Sequence, residues 1–175
     1  MQRLTAPAFV KPAQDKAFPA GVFSSGVALP LAASALPPDT PVLIAEPVRW
    51  RVEYRCFVLE RTLATMSPYV RDGDLAQDAN GAWPAPSDER AAAEAFLTTV
   101  LADSIVPLPP AVVVDVGLIE GRGWAIVEAN AAWGAGICDC DPRRILPILR
   151  RASLRRDVIP AADAPWLRPF AAVVG

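Results

Sequence analysis

Histidine is absent from all 175 residues, which excludes a histidine general base and every Ser-His triad. The three cysteines, Cys56, Cys138 and Cys140, are an odd set, too few for a disulfide framework and one conventional ligand short of a zinc site. A reducing, cytoplasmic setting is the expectation. Lysine is nearly absent: of seventeen basic residues only Lys11 and Lys16 are not arginine. No long basic run interleaved with aromatics occurs, and with a net charge of −2 and a pI near 5.2 the composition argues against a nucleic-acid partner. RRASLRR at 150–156 is the one basic cluster and reads as the solvated last turn of a helix, where cations favour the dipole. No basic-then-apolar leader opens the chain. The uncharged stretch 17–38 could span a bilayer by length, but Pro19, Gly21, Gly26, Pro30, Pro37 and Pro38 interrupt it, so it reads as buried structure and no membrane is expected.

What is present is a chain the size of one domain or of two small lobes. AFVKP (8–12) reads as a strand, with AGVF (20–23) as its hairpin partner across a loop holding Asp15 and Lys16. ALPLAASAL (28–36) predicts a short helix stopped by Pro37 and Pro38, and PVLIAEPV (41–48) a buried strand ended at Glu46-Pro47. Residues 52–70 predict two strands reversing near Glu60 and Arg61, with Glu53, Arg55 and Phe57 on one face and Tyr54, Cys56 and Val58 on the other. A turn-rich segment (71–86) leads to a helix over 87–105 with Ser87 as its cap. AVVVDVGLI (111–119) and GWAIVEAN (123–130) form a hairpin. A second helix over 140–152 is capped by Asp141 and is kinked or shortened at Pro147.

Each strand of that hairpin carries one acid deep in apolar sequence. A buried carboxylate is costly unless paired, hydrogen-bonded or bound to metal. On adjacent antiparallel strands Asp115 and Glu128 can face each other, and Asn130 points to the face of Glu128. Two carboxylates and an amide oxygen suit magnesium. Composition alone leaves open a structural network in which Asp115 and Glu128 pair with Arg55 and Arg122.

The order of Lys11-Pro12 after a strand, Glu46 ending another, Glu53 on the next, then Asp115 and Glu128-Ala129-Asn130 resembles the ATP-grasp superfamily. More narrowly, FVKPAQDKAFPAGVF, EYRCFVL with SPYV, VVVDVG and WAIVEANAAWGAGICDCDP resemble the ATP-grasp clade named for an arginine and two lysines, over roughly 8–152. Asp115 and Glu128 stand thirteen residues apart and Glu46 and Glu53 seven apart, similar to ligases that join two D-alanines.

The resemblance implies an α+β fold of two small lobes, with antiparallel sheets and flanking helices enclosing a nucleotide cleft. Residues 1–48 would form the small lobe, 49–156 the larger lobe with the metal-binding hairpin, and 157–175 a tail. It implies ATP and Mg2+ as cofactors, with Lys11 and Lys16 on the phosphates. Glu46 to Val48 would read the adenine edge, Glu53 the ribose hydroxyls, and Asp115, Glu128 and Asn130 would hold the metal. Arg55, the motif arginine, would contact a phosphate or acyl phosphate, giving Arg55 and Lys16 catalytic roles. The implied activity is an ADP-producing carboxylate–amine or carboxylate–thiol ligase. A nucleotide-binding module without independent catalysis and a nucleic-acid-modifying ligase using RRASLRR are the alternatives. Only ten residues precede Lys11, where such ligases carry a separate α/β domain. The acceptor-side wall is therefore absent, supplied by a dimer mate or partner protein, or lost with a truncated start.

Overall fold

The computed structural model describes residues 4, 6–13, 17–30, 33, 35–37 and 39–167. The chain divides into two compact units, Met1–Arg49 and Trp50–Gly175, and its class is α+β with two antiparallel sheets.

In the first unit β1 (Ala8–Pro12) lies between β2 (Gly21–Phe23) and β3 (Val42–Ala45), antiparallel to both. The expected hairpin forms, with Val10 opposite Gly21. Alternation along β1 buries Ala8 and Val10, which pack with Phe18 and with Leu29 and Leu36. The expectation of a buried strand at 41–48 is corrected. Its strand is real, but Val42, Leu43 and Ile44 are 40%, 51% and 44% exposed, because β3 sits at the edge of a sheet too small to sandwich it. Within 17–38 Phe18 is buried whereas Val27 is 96% exposed, so that stretch is not buried throughout. The helix expected at 28–36 falls partly on residues outside those described, and a 3-10 turn at Gly26–Ala28 precedes it.

The second unit is built on a five-stranded sheet of order β6-β5-β4-β7-β8. Its strands are β4 (Trp50–Leu59), β5 (Thr62–Arg71), β6 (Asp74–Leu75), β7 (Ala111–Ile119) and β8 (Gly123–Asn130). β4 and β5 reverse at Glu60 and Arg61, both in the left-handed region at φ 45° and 61°, as a two-residue hairpin demands. Neither is glycine, and each side chain has a tertiary task that glycine would lose. Arg61 donates to the carbonyls of Leu101 (2.9 Å) and Val106 (3.0 Å) at the end of helix α1 (Ser87–Ala102), and Glu60 pairs with Arg151 at 2.7 Å.

The faces separate as alternation requires. Val52, Tyr54, Cys56 and Val58 meet Met66, Val112, Val114 and Val116, and α1 covers them with Ala93, Leu97 and Leu101. Phe57, Ala111 and Val113 on the opposite face pack against Ile145 and Ile148 of α2 (Pro142–Ala152). Ser87 does not cap α1: Pro86 holds the cap position without a side-chain bond, and Ser87 is already helical. Asp141 does cap α2, accepting from the Arg143 amide at 2.9 Å. Pro147 does not shorten α2, which runs on for five residues; the proline forgoes one backbone bond in a helix already anchored by two buried isoleucines.

Candidate functional site

The second face of the large sheet carries the polar residues. Arg55 on β4 is directly opposite Asp115 on β7, and Asp115 is directly opposite Glu128 on β8. Glu53 lies two residues before Arg55 on the same face. Asn130 lies two residues after Glu128, and its amide nitrogen donates to Glu128 Oε1 at 2.9 Å. The β4–β7 and β7–β8 registers thus place Glu53 and Arg55 on the face of Asp115, Glu128 and Asn130.

Arg55 and Asp115 form a buried pair, 7% and 1% exposed. Arg55 Nε donates to Asp115 Oδ1 at 3.1 Å and Nη2 to Oδ2 at 2.8 Å. The guanidinium lies 3.8 Å from the centroid of the Tyr69 ring, and Nη1 reaches the Gly136 carbonyl at 3.4 Å. Burial opposes the charge on Arg55, yet its bonds and proximity to Asp115 outweigh that and raise its pKa. Burial also pushes Asp115 up, with Arg55 opposing and Glu128 adding to the rise; the two-point geometry is that of an ionised pair. Of the network left open by composition, the Arg55–Asp115 half is therefore present.

Glu53 is raised as well, first by burial and then by the charges of Asp115 and Glu128. This marks it as a member of the acidic cluster, beyond the ribose-reading role the resemblance assigned. No group of three or more His, Cys, Asp or Glu side chains among the described residues is gathered to hold a metal. The donor types nonetheless suit a hard cation in kind, since Glu53, Asp115 and Glu128 share one face of the sheet and Asn130 brings an amide oxygen.

Sequence reasoning missed what closes over Arg55. Residues 131–141 are stitched to β5, the Asp139 amide donating to Ser67 Oγ (3.2 Å) and the Asp141 amide to Thr65 Oγ1 (3.1 Å). Tyr69 reaches the guanidinium beside a register shift between Glu53 and Tyr54, a bulge no single sequence announces. Another shift, between Asp115 and Val116, leaves Val127 unpaired. The three thiols, two in the closing segment and one on β4, stay protonated: burial raises Cys138, pushes Cys140 up to about 12 and lifts Cys56 well above its ordinary value. That agrees with cysteines used for packing.

The remaining candidates lie in the first unit. Lys11 is on β1 opposite Leu43, Glu46 follows β3 and is exposed, and Val48 is half-buried. Lys16 lies outside the described residues. No helix among the described residues is long and apolar enough to cross a membrane.

Among curated proteins none matches the chain. A family model described as an ATP-grasp domain, family 2 of the clade named for an arginine and two lysines, matches residues 1–148. The two antiparallel sheets, the cross-strand Asp115–Glu128 pair with Asn130 and this match lead to one conclusion: the chain belongs to that arginine-and-two-lysine clade of ATP-grasp domains, a nucleotide-binding family of general ligase type.

Proposed function

We propose that the chain binds Mg-ATP and acts as a carboxylate–amine or carboxylate–thiol ligase through an acyl phosphate. The observation that carries this reading is the register placing Asp115 against Glu128, with Asn130 bonded to Glu128, on the face shared by Glu53 and Arg55. Lys11 and Lys16 contact the phosphates, where a compact ammonium on a long stem suits a mobile partner. The backbone from Glu46 to Val48 reads the adenine edge, and Glu53 takes the ribose hydroxyls. Asp115, Glu128 and Asn130 would hold magnesium, which would supply charge neutralisation at the phosphates.

In this reaction the carboxylate substrate attacks the γ-phosphorus, the bond to the ADP oxygen breaks, and an acyl phosphate forms. The amine or thiol then attacks the acyl carbon and inorganic phosphate departs, so the products are ADP, phosphate and the new amide or thioester. The protein contributes position and fixed charge. Arg55 holds Asp115 ionised and oriented.

The test is Mg-dependent ADP release across a panel of carboxylates with amines and thiols. Asp115→Asn and Glu128→Gln are expected to lower turnover by several orders of magnitude, and full activity in either removes that residue from the mechanism. A second reading, nucleotide binding without chemistry, is favoured by Arg55 engaging both Asp115 oxygens; ATP binding without ADP release anywhere on the panel would support it.

A further inference from the structure

β6 pairs with β5 only at Val70 and Arg71, which leaves the other end of β5 as an outer edge of the large sheet. Beside that edge, within the second unit, lies a cleft of about 400 Å3, the size of a small-molecule site. Thr65 and Met66, 9% and 2% exposed, form its floor. One wall is Arg90 and Glu94 of α1, and the other is Asp139 and Arg144 around the start of α2.

Each wall therefore offers one cation and one anion. On the second wall Arg144 is already engaged, donating to the Ala64 carbonyl at 3.0 Å and lying 3.8 Å from Asp141, whose carboxylate caps α2. Arg90, Glu94 and Asp139 enter no ion pair among the described residues. Arg90 stands four residues before Glu94, the less favoured order for an ion pair along a helix, and the two do not close on each other. Both nevertheless bear on the sheet edge. Burial governs the thiols of Cys56 and Cys140, but the charge of Arg90 is also felt at both, and that of Glu94 at Cys56. The Arg90 guanidinium is thus within electrostatic reach of β4 and of the segment that carries Asp139.

We propose that this cleft binds a small zwitterion of the α-amino-acid class, with its carboxylate on Arg90 and its ammonium between Glu94 and Asp139. A guanidinium forks onto a carboxylate with two parallel bonds, and carboxylates accept the three ammonium hydrogens. Side chains one helical turn apart start about 5–6 Å from each other, so the charges that Arg90 and Glu94 meet must be close together, as they are around a single α-carbon. Asp115, at the centre of the acidic face, is on β7, two strands away from β5. The amino acid therefore binds without nucleotide or metal.

The experiment titrates L-alanine into the 15N-labelled chain, without nucleotide and in a buffer free of amines and carboxylates, and follows backbone amide shifts by NMR. Acetate, ethylammonium and 5-aminovalerate are the comparison probes. L-Alanine is expected to saturate at one site per chain, shifting amides around Thr65, Glu94 and Asp139, and to bind at least tenfold more tightly than each comparison probe. Arg90→Gln and Asp139→Asn change exposed side chains outside the core and are each expected to weaken L-alanine at least tenfold. No saturable binding of L-alanine overturns the proposal, as do shifts confined to other parts of the chain. Acetate binding as tightly as L-alanine would make the cleft an anion site only, and 5-aminovalerate binding as tightly would remove the α-amino-acid class. Unchanged affinity in either variant would remove the role given to that side chain and refute the proposed pose.

Discussion

Removing Arg55 leaves the Asp115 carboxylate buried and unpaired, a change that typically costs about 3–5 kcal/mol. Arg55→Met is expected to lose stability in that range, and Arg55→Met with Asp115→Leu to recover most of it, because the uncompensated charge leaves with the second change. Urea unfolding of the two single variants and the double variant measures the coupling; additive losses would mean that the pair is not an energetic unit. For the same reason Asp115→Asn is expected to lower stability as well as turnover, by stripping charge from one side of a buried bond. Glu53 carries the pH prediction. Its folded pKa is raised above the ordinary 4.5 by burial, Asp115 and Glu128, so the folded chain binds that proton more tightly than the unfolded chain. Stability from this group therefore falls as pH rises from 4.5 through the folded value, and the loss persists above it. Glu53→Gln should raise the Tm at neutral pH in the absence of nucleotide, with the gain shrinking below 4.5; an unchanged or lower Tm at neutral pH would contradict the crowding of acids described here.

At the scale of elements, the β7–β8 hairpin is the best case of legibility. Its strands, its turn and the facing of Asp115 and Glu128 follow from period-two alternation and the EGRG turn, because β7 is buried along most of its length and a one-residue slip would turn every side chain to the other face. The bulge at Val127 does not follow, nor does the close approach of Trp50 to Gly117. A Cβ on Gly117 would lie 2.5 Å from Trp50 Cε3, 2.8 Å from Cζ3 and 3.1 Å from Val127 Cγ2. Gly117→Ala is expected to destabilise by about 1–3 kcal/mol as the indole is forced aside, read as a lower urea midpoint at unchanged slope; a neutral result would show that the ring is free to move. β3 shows the opposite case. A continuous apolar run reads as a strand buried on both faces, but burial depends on how many neighbours the sheet has, and VLIA contains no record of that. Pairing of Arg55 with Asp115 was undecidable for a related reason: structural pairing and metal binding both demand the same residues on the same face. The contacts of Tyr69 and Gly136 depend on a bulge and on a long segment folded back over the sheet, and neither leaves a local pattern.

For the whole molecule, the two units differ in how much apolar surface they bury. Trp50–Gly175 contains a core on each face of its sheet, whereas the buried core described in Met1–Arg49 is Ala8, Val10 and Phe18. Expressed alone, residues 50–175 are expected to unfold cooperatively in urea, and residues 1–49 to show no cooperative transition, since so short a chain buries too little to offset its conformational entropy. A cooperative transition in the isolated 1–49 segment would show that its core is larger than described. The account as a whole turns on the proposal that this chain binds Mg-ATP. Calorimetry of ATP binding with and without magnesium, on wild type, Lys11→Ala and Glu128→Gln, tests it most directly. The account predicts magnesium-dependent binding at one nucleotide per chain in wild type, weakened at least tenfold by either substitution. Wild-type binding that is indifferent to magnesium, or no binding at all, would contradict it.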